Sequence, residues 1–169
     1  MALIPCVVAG CGPGALRWVT PEVRQAASAC ELLAGAPTLL ELFPESPAER
    51  LAYDQGLTAF LEALRLHLGQ RRVTVLVSGD PGLASLATTL ARHFPDQPFR
   101  RLPGLSSVQV AFAECGLDHS EACILRAHQN LPPWDPRWEG HQGPFDVLTG
   151  HPEAPSYTAA LARRLGRPW

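Results

Sequence analysis

The chain has 169 residues, 46% hydrophobic, 18% charged and 7% aromatic, with 16 acidic and 14 basic residues for a net charge of −2. That balance excludes a disordered chain, a collagen-like chain and a nucleic-acid binder working by bulk positive charge. All 14 basic residues are arginine, so no lysine exists for a Schiff base or for the phosphate-cradling position of a Walker A loop.

Residues 2–9 form an apolar run far shorter than the ~20 residues of a membrane helix. The run reads as a buried strand ended by Gly10. No basic region precedes it as in a signal peptide, so a soluble cytoplasmic protein with no membrane partner is expected. Thr20 and Pro21 mark a helix start, N-cap then first helical position, and Val23, Ala26, Ala27, Cys30 and Leu33 carry the predicted helix to Gly35. Ser46, Pro47, Ala48 and Glu49 have the form of a capping box that opens another helical turn. Phe60, Leu61, Leu64 and Leu68 recur at helical spacing, and Gly69 stops the run.

Residues 73–77 are the clearest strand, rich in valine. A helix over 83–94 follows, then a turn at Pro95-Asp96-Gln97-Pro98 and a short strand ending at Leu102. Ser106 or Ser107 caps a further helix that Gly116 terminates. This alternation predicts a parallel sheet with helices on both faces, an α/β domain over residues 1–116. A strand over 122–127, a strand over 145–149 and a helix over 155–165 then predict a second, partial α/β domain over residues 117–169. The irregular segment 129–144, with Trp134 and Trp138, reads either as a lid or partner surface or as two tryptophans sealing a core edge.

Five scattered cysteines, mostly within apolar runs, suit buried thiols better than a disulfide framework. Cys115, His119, Cys123 and His128 match no common zinc spacing, so no metal is expected.

Three glycine-bearing loops follow strands. Gly10-Cys11-Gly12-Pro13-Gly14-Ala15 satisfies G-x-G-x-x-A, which would suit a dinucleotide-dependent oxidoreductase. That fingerprint, however, needs a helix starting inside the loop so that its amides meet the pyrophosphate. Here the helix starts at Thr20-Pro21 and Pro13 removes a donor. In Ser78-Gly79-Asp80-Pro81-Gly82, Asp80 either accepts from a ligand or caps the next helix. In Pro103-Gly104-Leu105-Ser106-Ser107 the serines cap a helix, contact ligand, or both. Three such loops on one rim outline a shared pocket.

Residues 7–14 followed by Trp18-Val19-Thr20-Pro21, then Ser78-Gly79-Asp80-Pro81, then Pro103-Gly104-Leu105-Ser106-Ser107-Val108-Gln109, resemble the tetrapyrrole (corrin/porphyrin) methylase family. With Glu41-Leu42-Phe43-Pro44 and His128, they resemble most its branch that methylates C5 of a corrin-ring precursor of cobalamin. The family's second-domain Ser-Leu-His-Gly-Arg is met here by Arg126-Ala127-His128-Gln129-Asn130, which keeps the histidine. The resemblance implies a tetrapyrrole-methylase fold, S-adenosyl-L-methionine in a cleft between two α/β domains, and a tetrapyrrole substrate above it. It implies cofactor contacts at Pro13, Ser78, Gly79, Asp80, Leu83, Ser106, Ser107, Leu148 and Thr149. Family members continue past the position of Trp169, so a truncated, non-catalytic binding module is the alternative expectation.

Methyl transfer from a sulfonium needs alignment more than it needs a protein nucleophile. A general base would assist loss of a ring proton, with His128 the first candidate and Asp80 the second. A substrate carrying several carboxylates suits arginine forks, and Arg17, Arg100, Arg101 and Arg126 lie beside the predicted loops. A homodimer covering the incomplete sheet edge is expected.

Overall fold

The computed structural model describes residues 3–168, so Ala2 of the predicted first strand and the final residue Trp169 lie outside the described residues. The chain divides into two compact units, Met1–Ser107 and Val108–Trp169. The division falls at the start of a helix, Ser107–Cys115, and not at Gly116 where that helix ends.

The first unit is a five-stranded parallel sheet of β1 (Cys6–Gly10), β2 (Leu32–Gly35), β3 (Glu49–Ala52), β4 (Val73–Val77) and β5 (Phe99–Leu102), in the order β3-β2-β4-β1-β5. Helices α1 (Pro21–Ala29) and α2 (Pro37–Leu40) pack on one face, α3 (Leu57–Arg65) and α4 (Leu86–His93) on the other. Strand alternation builds both cores. Val8, Ala34, Val73 and Val75 meet Phe60, Leu61, Leu64 and Leu90, whereas Ala9, Leu33, Leu76 and Leu102 meet Val23, Ala27, Leu39 and Leu40. Full burial on both faces explains why β4 reads as a near-continuous apolar run, interrupted by Thr74, whose buried hydroxyl donates to the Ala26 carbonyl at 3.2 Å.

Thr20 caps α1 as the sequence predicts, its hydroxyl accepting from the Val23 amide at 3.3 Å. The helix ends at Ala29, and the predicted continuation to Gly35 is instead β2, all four of whose residues are buried. Placing Leu32 and Leu33 between β3 and β4 buries both faces of the strand, which outweighs the small helical preference of the run. The capping box is likewise not helical. Ser46 accepts from the Ala48 amide at 3.4 Å and donates to the Ala27 carbonyl at 2.6 Å, while Glu49 begins β3. The predicted helix start at residue 83 moves to Leu86, because Ser85 takes the N-cap and Ala84 adopts a left-handed φ of 48°.

The second unit holds a parallel pair, β6 (Cys123–Ala127) and β7 (Phe145–Thr149), packed by α6 (Ala154–Leu165) and preceded by α5 (Ser107–Cys115). Its core is Leu125, Trp138 and Leu161, with Trp134, Phe145, Val147 and Tyr157 against it. The rings of Trp134 and Trp138 meet edge to face at 5.5 Å, and the Arg164 guanidinium stacks on Trp134 at 3.5 Å. Of the two readings of segment 129–144, the tryptophans therefore seal a core. Among the described residues no helix is long and apolar enough to cross a membrane.

Candidate functional site

In the first unit β1 and β4 lie side by side. The connection leaving β1 passes through α1 on one face of the sheet; the one leaving β4 passes through α4 on the other. Strand order thus reverses between them, which opens a crevice at their carboxyl ends, the usual ligand position in open α/β sheets. Three loops line it: residues 11–19 after β1, 78–85 after β4 and 103–106 after β5.

These loops are joined backbone to backbone. Gly12 and Gly79 form an antiparallel bridge, with Gly79 N donating to Gly12 O at 2.8 Å and Gly12 N donating to Gly79 O at 3.3 Å. Both glycines have positive φ, 67° and 65°. The Cys11 amide donates to the Val77 carbonyl at 2.8 Å. Gly10 and Gly104 then let the third loop close on the other two. A β-carbon at Gly10 would stand 2.6 Å from the Gly79 carbonyl oxygen and 2.7 Å from the Gly104 nitrogen. Sequence reasoning did not single out this pair, although each glycine sits at or just past a strand end.

Asp80 ties the second loop to the third. Its Oδ1 accepts from the Gly82 amide at 2.7 Å and its Oδ2 from the Gly104 amide at 3.2 Å. It therefore does not cap α4, a role that falls to Ser85. Beside it, Gly79 approaches the Ser106 and Ser107 backbone. Ser106 is buried, while Pro13, Ser78 and Ser107 are exposed and Leu83 is half-buried. The fold of the first unit thus brings Gly79, Asp80 and Gly104 together with the Ser106 and Ser107 backbone.

The N–H groups of Cys11, Gly12, Gly79, Gly82 and Gly104 all donate within the protein, and Pro13 has none to give. A 3-10 turn over Leu16–Trp18 separates the first loop from α1. The helix N-terminus that a pyrophosphate needs inside the first loop is thus displaced to Thr20-Pro21. The buried Cys11 thiol is pushed up to about 12 by desolvation and stays protonated. The rim these bonds preform is largely backbone, tied by the Asp80 carboxylate, with Ser78 and Ser107 exposed beside it. With Pro13 lacking an N–H and the helix start displaced, this suits an adenosyl ligand without phosphate better than a pyrophosphate.

The predicted arginines separate. Arg17 is exposed and lies over the Trp18 ring at 5.1 Å. Arg100 is paired in register with Val7, back from the rim, and its guanidinium is committed to Glu22. Arg101 is exposed, and among the described residues no ion pair holds it.

In the second unit Arg126 lies exposed on β6 and Leu148 and Thr149 close β7. His128 follows β6, and its Nδ1 lies 3.2 Å from the Thr149 carbonyl oxygen. The His151 amide donates to the Ala127 carbonyl at 2.9 Å, which keeps the two strand ends together. Among the described residues no three His, Cys, Asp or Glu side chains stand within reach of one metal ion.

The model of a protein family, the Tetrapyrrole (Corrin/Porphyrin) Methylases, matches residues 5–168. The chain is 33% identical over 121 residues to the cobalt-precorrin-7 C(5)-methyltransferase of Salmonella typhimurium, covering 72% of this chain and 60% of that protein. It resembles the crystal structure of the methyltransferase CobJ at a TM-score of 0.62 and 30% identity, over 76% of this chain and 58% of that one. It shares the fold of uroporphyrin-III C-methyltransferase from Thermus thermophilus, complexed with S-adenosyl homocysteine, at a TM-score of 0.73 and 18% identity over 98% of this chain and 78% of that one. The chain thus spans about 60% of the length of the curated relative it matches.

Proposed function

The chain belongs to the tetrapyrrole (corrin/porphyrin) methylase family, and from that premise we propose that it is an S-adenosylmethionine-dependent C-methyltransferase of cobalamin biosynthesis that methylates a corrin-ring precursor at C5. The observation that carries this reading is the triple loop at the carboxyl ends of β1, β4 and β5, in which the Cys11, Gly12, Gly79, Gly82 and Gly104 amides bind the three loops to one another and to β4. The 33% identity to a cobalt-precorrin-7 C(5)-methyltransferase supports the choice of ring position.

S-adenosylmethionine, when bound, supplies a methyl group already activated on a sulfonium. The chain's own task is then placement. Ser78, Gly79 and Asp80, with Pro13, Leu83, Ser106 and Ser107, would hold the donor on a rim that the Gly12–Gly79 bridge makes rigid. Orientation of this kind contributes ~7–11 kcal/mol when both partners are held in line. Both Asp80 oxygens accept from loop amides, so Asp80 serves to keep the rim closed and His128 is the better proton acceptor. Leu148 and Thr149 would complete the adenosine contacts. Arg17, Arg101 and Arg126 are available to substrate carboxylates, whereas Arg100 already has Glu22.

Calorimetric titration with S-adenosylmethionine and S-adenosylhomocysteine tests the donor site, with saturable one-to-one binding expected of both. Transfer of a labelled methyl group to a cobalt-precorrin acceptor tests the reaction. Absence of cofactor binding overturns the reading. Binding without transfer to any corrin precursor would leave a non-catalytic binding module, and quenching of nicotinamide fluorescence on titration would favour the oxidoreductase.

A further inference from the structure

Gly150 has no need of glycine for its backbone, because its φ lies outside the left-handed region that only glycine occupies readily. Its requirement is space. A β-carbon there would overlap Nδ1 of His128 and stand 2.6 Å from Cε1 and 2.7 Å from Cγ of the same ring. The missing side chain is the slot in which the imidazole lies.

Within that slot Nδ1 meets the Thr149 carbonyl oxygen at 3.2 Å. A carbonyl oxygen only accepts, so the contact is a hydrogen bond only when Nδ1 carries the proton. In the neutral ring the lone pair then sits on Nε2. His128 is otherwise exposed. The parallel pairing of Arg126 with Leu148 and Ala127 with Thr149, extended by the His151 to Ala127 backbone bond, fixes the carbonyl and the slot in register with the ring.

We infer that Gly150 is a positioning residue for His128, seating the imidazole on the Thr149 carbonyl so that Nδ1 keeps its proton and Nε2 is the basic atom of the methyl-transfer reaction. The proton-transfer part rests on the function proposed above. As the methyl group passes to the ring carbon, the carbon–sulfur bond breaks and its electrons stay on sulfur as a thioether. The new carbon–carbon bond uses a π pair of the macrocycle, and loss of the proton on that carbon to Nε2 restores the pair. Charge balances, since a sulfonium is consumed and an imidazolium is formed.

Gly150→Ala tests the assignment on the full chain. Long-range proton–nitrogen NMR of histidine-labelled protein reads the tautomer directly and needs neither donor nor substrate. The wild type is expected to show His128 protonated at Nδ1, and Gly150→Ala to lose that signature while its circular dichroism is unchanged. Wild-type His128 protonated at Nε2, or a Gly150→Ala spectrum identical to wild type, would overturn the inference. In the transfer assay, removing a general base lowers kcat by roughly 100-fold or more. Gly150→Ala should lower kcat in the same direction as His128→Gln, leave the KM for S-adenosylmethionine unchanged, and add nothing in the double variant. Additive losses would assign Gly150 a separate structural role and overturn the coupling. The expected tautomer in a chain that transfers no methyl group would uphold the seating of His128 and overturn the proposed reaction.

Discussion

The carboxyl-end loops of the first unit and the carboxyl ends of β6 and β7 in the second are built on opposite principles. The first unit surrounds its loops with five strands and two cores, and both Asp80 oxygens and the Gly12, Gly79 and Gly104 amides are partnered at the rim. The second rests two strands on one small core, leaves Ile124 exposed on the other face, and contains buried side-chain atoms without partners among the described residues at His141 Nε2, Asp146 Oδ2 and Tyr157 OH. The lesson is one of reserve. A rim made of backbone is held by the whole sheet, whereas a histidine seated by one glycine on a two-stranded sheet depends on few contacts.

The sharpest break of this contrast is Trp138→Ala. Trp138 joins Trp134 and Phe145 edge to face in the second core, so truncation should destabilise that unit by about 3–5 kcal/mol. Hydrogen exchange should lose protection along β6, β7 and α6 and keep it along β4. Equal loss in β4 would mean that the units unfold as one.

Next in size is Gly10→Ala. Its β-carbon would press on the Gly79 carbonyl and the Gly104 nitrogen, both backbone atoms that cannot rotate away, at an expected loss of about 1–3 kcal/mol. Donor binding should weaken with it. Gly14→Ala is the comparison, because nothing lies within 4 Å there and only its φ of 89° opposes a side chain. If urea midpoints place Gly10→Ala no lower than Gly14→Ala, the loops are not locked as described.

Asp80→Ala follows, at about 1–2 kcal/mol, because it strands the Gly82 and Gly104 amides near the surface where water replaces part of the lost bonding. A rise in the KM for the donor, larger than the fall in kcat, would match its place as a clasp between loops. A loss confined to kcat would return it to the role of base.

These residues also show how far the sequence could be read. Val73–Val77 and the Thr20-Pro21 cap were legible because burial on two faces and N-cap chemistry are local signals. Leu32–Gly35 was not: its apolar run has the same composition in a helix or a strand, and only pairing with β4 and β3 decides. Ser46 was misleading for a related reason. Its hydroxyl meets the Ala27 carbonyl, nineteen positions away, and the capping pattern carries no trace of that bond. At the site, each glycine loop was visible singly, while the mutual approach of Gly10, Gly79 and Gly104 exists only once three strands are side by side.

The smallest effect compares two aspartates. Asp80 has an amide on each oxygen; Asp146, half-buried on β7, has an Oδ2 shut away from water with no partner among the described residues. Burial penalises its charged form and pushes its carboxyl above the usual range. A carboxyl whose folded value is raised favours the folded state while protonated, so this contribution is complete at acid pH and is lost as pH rises through the folded value. Asp146→Asn cannot ionise and should abolish that slope. Its urea midpoint should exceed the wild type's at neutral pH and lose that advantage in acid. A midpoint equal to the wild type's at every pH would mean that Asp146 is as well satisfied as Asp80, and the contrast between the two units would then rest on core size alone.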